Sequence, residues 1–185
     1  MITYVAFLRG INVGGKKLIK MEALRREMES LRFKNVRTFI ASGNVIFNSA
    51  DIDRQSLTGK IERKLFKAFE HKVPVVLLTV RELEEIVRRS PFKKIKPGAD
   101  VMMFVALLAD KPKAKGKIPF RSTTENLEVL AVTDHAAFIL CHRKKNGMFA
   151  FPNNFFEKQF GVVATTRNWT TVNKIAALAQ KATSS

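Results

Sequence analysis

Ile2-Thr3-Tyr4-Val5-Ala6-Phe7-Leu8, with Arg9-Gly10-Ile11-Asn12-Val13-Gly14-Gly15-Lys16-Lys17 directly behind it, is the stretch on which the reading of this chain turns. The first seven residues are rich in β-formers and apolar on both faces, which suits a strand central to a covered sheet. The nine that follow are glycine-rich and basic. A loop of that kind, leaving an apolar strand, lets backbone N–H groups and cationic side chains converge on an anion.

Helical spacing of Met21, Leu24, Met28 and Leu31 predicts a first helix after this loop. Val36–Ile40 reads as a second strand, and the turn signal Ser42-Gly43-Asn44 joins it to a third at Val45–Phe47. Asp51 or Asp53 is placed to cap a long second helix with Leu57, Ile61, Leu65, Ala68 and Phe69 on one face. Pro74–Thr79 supplies a fourth strand. The order β-α-β-β-α-β is that of a ferredoxin-like lobe, an antiparallel sheet with helices on one side, over residues 1–79.

Residues 80–185 read as a second, smaller α+β lobe. Thr79 is placed to cap a third helix, and the Pro-, Gly- and Lys-rich segment Pro91–Gly98 is the expected linker. Strands are expected at Val101–Leu108, Leu127–Val132 and Ala137–Cys141, with the charged loop Asp110–Lys117 between the first two. Asn154 and Glu157 resemble a capping box for a short helix ended by Gly161, and a last helix runs from about Thr170 to Gln180.

Charge is the outlier: 33 Lys and Arg against 16 Asp and Glu give a formal +17. Such a field draws polyanions, although net charge also serves solubility. Lys60, Arg63, Lys64 and Lys67 form a basic stripe opposite the apolar face of the second helix, able to track phosphates. No aromatic residues interleave with it, which argues against sequence-specific RNA readout.

Other classes find little support. Gly10–Lys17 follows a phosphate-loop spacing, but Lys17 stands where a magnesium-holding Ser or Thr is needed. No catalytic motif is present, and no cofactor or metal site is expected from His71, His135, His142 and the single Cys141, which reads as a buried, inert thiol. No run reaches the roughly 18 uncharged apolar residues of a membrane span, so a cytoplasmic protein without a membrane partner is expected.

Three motifs in order carry a family likeness: Leu8-Arg9-Gly10-Ile11-Asn12-Val13-Gly14-Gly15, then Ser42-Gly43-Asn44-Val45 with Phe47, then Thr166-Arg167-Asn168-Trp169 with Thr171, Val172 and Lys174. Together they resemble the family called domain of unknown function 1697, from Tyr4 to Leu178. The resemblance implies a small bacterial-type cytosolic protein of two α+β lobes, the first ferredoxin-like, and it implies no activity, substrate or cofactor. The chain departs from that pattern at Arg32, where a Gly is expected after the first helix, and in the Lys-rich segments near residues 93 and 113.

The leading expectation is a basic surface that binds an anionic partner, nucleic acid without sequence preference, through Lys60, Arg63, Lys64 and Lys67. The alternative is a small phosphate- or carboxylate-binding protein or enzyme. Its pocket would be built from Arg9, Asn12, Gly14, Gly15, Lys16, Ser42, Asn44, Arg167 and Asn168, with Trp169 behind them. For Trp169 a core anchor is the competing role, and for Thr170 or Asn168 a helix cap. The sequence sets no oligomeric state.

Overall fold

The computed structural model describes residues 1–15, 18–50, 53–95, 98–113, 117–149 and 153–183. It divides the chain into two compact units, Met1–Leu83 with Ile175–Ser185, and Glu84–Lys174.

In the first unit, β1 (Ile2–Leu8), α1 (Met21–Glu29), β2 (Lys34–Phe39), β3 (Asn44–Ser49), α2 (Arg54–Phe69) and β4 (Val75–Thr79) follow one another as expected for a ferredoxin-like lobe. The sheet order is β2-β3-β1-β4, and all neighbours are antiparallel. β1 lies between β3 and β4, with Tyr4 opposite both Phe47 and Thr79. Alternation then sends Tyr4, Ala6 and Leu8 to one face, where they join Phe47, Leu77, Leu24, Met28, Leu57, Ile61 and Leu65 in a core. Phe47 stacks on Phe33 with ring centroids 4.3 Å apart. Val5, Phe7, Ile46, Val76 and Leu78 point the other way and are also buried, which accounts for the unbroken apolar run of β1.

Two details of this unit depart from expectation. Ala68 is exposed, so the buried face of α2 is Leu57, Ile61 and Leu65. Ile40 lies outside β2, because its left-handed φ of 50° takes the chain out of the extended region. Asp53 caps α2 by accepting from Gln55 N at 3.1 Å, while Asp51 lies outside the described residues.

α3 (Val80–Arg88) crosses the division between the units, and so does α5 (Trp169–Thr183). The last helix therefore does not belong wholly to the second lobe. From Ile175 it is part of the first unit, and the Thr183 hydroxyl donates to that of Thr3 at the start of β1.

In the second unit, β5 (Val101–Leu108), β6 (Phe120–Ser122), β7 (Leu127–Val132), β8 (Ala136–His142) and β9 (Ala164–Asn168) form an antiparallel sheet ordered β6-β7-β8-β5-β9. α4 (Asn153–Phe160) places Phe156 and Phe160 in a core with Phe104, Leu127, Val129, Ile139 and Cys141. Gly161 follows α4 at φ 67°, its N–H donating to Glu157 O.

The sequence reading missed β6 and β9. β6 has three residues, and β9 reads Ala-Thr-Thr-Arg-Asn, which lacks the apolar alternation of a half-buried strand. Of the expected linker Pro91–Gly98, Lys96 and Pro97 lie outside the described residues, and the first part is ordered secondary structure. Pro91–Lys94 forms a 3₁₀ turn whose Phe92 is buried edge-on against Phe138 and Trp169, and Ser90 Oγ accepts from Phe92 N.

Candidate functional site

The Arg9 loop and the Ser42 turn meet at one corner of the first unit because β1 and β3 are antiparallel neighbours, with Phe7 opposite Asn44. Leu8 N donates to Gly43 O at 2.8 Å, and Arg9 N donates to Pro74 O at 2.9 Å. Gly43 is required for this closeness. A Cβ there would lie 2.6 Å from Ile11 Cδ1 and 2.9 Å from Leu8 Cβ, and its φ of 74° is left-handed as well.

Asn12 holds the corner together. Its side-chain amide donates to Ala41 O at 2.7 Å and to Ile19 O at 3.0 Å, and its Oδ1 accepts from Ile19 N at 2.8 Å. Its own φ of 55° suits a residue type that tolerates the left-handed region. Asn44 is fully buried and donates to Phe39 O at 2.9 Å and to Ser42 Oγ at 3.0 Å. Both amides thus bond the protein's own chain. Gly14 and Gly15 are exposed, with φ of 58° and 73°, conformations that glycine adopts without strain. Arg9 is half-buried, and Lys16 lies outside the described residues.

Arg167, Asn168 and Trp169 belong to the second unit. Arg167 lies on β9 opposite Val105 and is buried, with Nη1 donating to Thr165 Oγ1 at 2.8 Å and to Thr166 O at 3.0 Å. Burial lowers its pKa to about 10, which leaves it charged at neutral pH. Asn168 Oδ1 accepts from Thr170 N at 2.8 Å in the first turn of α5, the bond of a helix cap. Trp169 is half-buried, edge-on to Phe92 at 5.3 Å and to Phe138 at 6.4 Å.

On α2 the four cations of the basic stripe have different surroundings. Lys64 Nζ is 2.9 Å from Glu27 Oε2, and Lys60 Nζ lies 5.5 Å from the centre of the Phe33 ring. Arg63 and Lys67 are exposed. The Lys60–Phe33 contact has a consequence that sequence spacing did not reveal. It brings the α2 stripe to the entry of β2, one residue along the chain from the exposed Arg32, whereas Lys34, paired with Asn48, falls with Ile46 on the sheet face away from α2. No local pattern links these positions, so nothing in the sequence identified Arg32 as part of the same surface.

Among the described residues no group of His, Cys, Asp and Glu is placed to hold a metal ion, and no helix is long and apolar enough to cross a membrane.

Two α+β units with antiparallel sheets, the first ferredoxin-like, define the architectural class. The chain belongs to the family described as protein of unknown function (DUF1697), whose model matches residues 1–138. The conserved bacterial protein SP0830 from Streptococcus pneumoniae has a similar fold, with a TM-score of 0.66 at 20% identity over 96% of this chain and 98% of that one. No curated protein matches the sequence.

Proposed function

We propose that the first unit binds a polyanion, nucleic acid without sequence preference, across Arg32, Lys60, Arg63, Lys64 and Lys67. The observation that carries this reading is the seat of Lys60 on Phe33, which joins the helix stripe to the turn that carries the exposed Arg32. The patch has charge and few means of reading bases, since Phe33 is buried and stacked on Phe47. Phosphates are therefore its natural ligands, and affinity comes from counterion release. A small anion held by the Arg9 loop has less support, because the Asn12 and Asn44 amides bond to the chain itself.

The test is binding of a short duplex and a short single strand at several salt concentrations. If about six phosphates are contacted, affinity falls on the order of 10³-fold between 50 and 200 mM salt. The double variant Arg63→Ala, Lys67→Ala then lowers the salt slope by about two. Binding indifferent to salt, no binding at 50 mM, or an unchanged slope in the double variant would overturn the proposal.

A further inference from the structure

Three of the large apolar side chains that the protein leaves in water stand at the corner held by Asn12. Val13 is 68% exposed, Leu18 74% and Ile40 49%. Ile40 is distant in sequence from Val13 and Leu18, but all three come to one corner because each is next in the chain to a residue joined by that one amide: Val13 to Asn12, Leu18 to Ile19, and Ile40 to Ala41.

Ile40 is the telling member. It is a β-branched residue held at φ 50°, where such side chains are strained, and it stays half in water. Neither backbone preference nor burial favours isoleucine there, so the fold gains nothing from it that Asn or Gly would not give more cheaply.

The corner is open to solvent: Val13, Gly14, Gly15, Ile40 and Ala41 are exposed, and among the described residues a Cβ built on Gly10, Gly14 or Gly15 would meet nothing within 4 Å. Its charge is one-sided too. Residues 8–21 and 37–45, the segments that build it, contain Arg9, Lys16, Lys17, Lys20 and Arg37 and no Asp or Glu.

We infer that this corner is a peripheral docking tip for an anionic lipid surface, with Val13, Leu18 and Ile40 entering the headgroup boundary and the surrounding cations held by lipid phosphates. Projecting aliphatic side chains need a soft partner that closes around them, and a bilayer surface does so where a folded protein would need a matching groove. Juxtamembrane cations add attraction to anionic headgroups, screened by salt. A tip of this kind needs no membrane span, and the absence of a span was the ground for expecting no membrane partner.

The test is sedimentation of the full chain with vesicles of mixed phosphatidylglycerol and phosphatidylcholine, against vesicles of phosphatidylcholine alone. The expected result is binding to the anionic vesicles, weakened by salt and lowered about tenfold or more in the triple variant Val13→Ser, Leu18→Ser, Ile40→Asn, because three apolar side chains leave the boundary. Ile40→Asn alone is expected to weaken vesicle binding while raising stability to denaturant, an opposition that a merely structural residue would not show. The triple variant should keep its affinity for a short duplex, which separates the tip from the patch on α2. Binding unchanged by the triple variant shows charge acting alone and overturns the inference. So does failure to bind anionic vesicles at low salt, including the case in which the tip instead takes up an acidic protein.

Discussion

Arg32 lies at φ 66°, a short way past the end of α1, with its N–H donating to Glu29 O at 2.9 Å. This is where the family likeness leads one to expect glycine, and the backbone shows why: the turn from α1 into β2 uses a left-handed residue whether or not its side chain suits it. An exposed arginine there gains no burial to offset the strain. Arg32→Gly is therefore expected to stabilise the protein by about 1 kcal/mol in denaturant titration, and to weaken polyanion binding by removing a cation beside Phe33. A loss of stability would show that the side chain supports the turn. Cys141 offers a second test at this scale. Its thiol is buried on β8, and burial pushes its pKa up to about 12 from an ordinary value of 9.0. The folded state thus keeps a proton that the unfolded chain sheds above pH 9, so this group's contribution to stability is present below that pH and is lost as pH rises towards 12. Thiol reagents at pH 8 should label Cys141 only on unfolding, and labelling at the same rate in the native protein would refute its seclusion.

At the scale of elements, α3 begins after Thr79, the cap expected from the sequence, with Glu82 three residues later. The structure closes it reciprocally: Thr79 Oγ1 accepts from Glu82 N at 3.2 Å, and Glu82 Oε2 accepts from Thr79 N at 2.8 Å. Arg54 of α2 pairs with the other carboxylate oxygen, so the cap also ties α2 to the first turn of α3, both within the first unit. Thr79→Ala should cost about 1 kcal/mol and Thr79→Ser only a fraction of that, read from denaturation midpoints at constant slope. Equal losses in the two variants would show that packing of the methyl group matters more than the bond. β9 had no such signature. Thr165 and Arg167 are buried although polar, because hydrogen bonds within the strand replace those to water. An apolar pattern cannot reveal a strand that is buried in this way. Phe92 shows the converse, since Pro, Gly and Lys around it resemble a linker until ring contacts to Phe138 and Trp169 place it inside the second unit.

For the molecule as a whole, the sequence by itself determined the α+β class, the β-α-β-β-α-β order of the first unit and the inward face of most of its elements. These follow from side-chain periodicities of about 2 and 3.6 residues and from turn chemistry at Ser42–Asn44, all of which act over a few residues. The antiparallel adjacency of β1 and β3 followed from that order, and with it the meeting of the Arg9 loop and the Ser42 turn. What only the tertiary structure decided is how distant cations and apolar side chains are gathered. The 33 Lys and Arg are scattered along the chain without a marking block, and it takes the approach of α2 to β2 to put Lys60 on Phe33, next in the chain to Arg32. Likewise Val13, Leu18 and Ile40 form a group only through one asparagine that bonds across the corner. Such groupings depend on sheet register and helix packing together, which are settled when the core closes, and short-range sequence patterns carry no record of them.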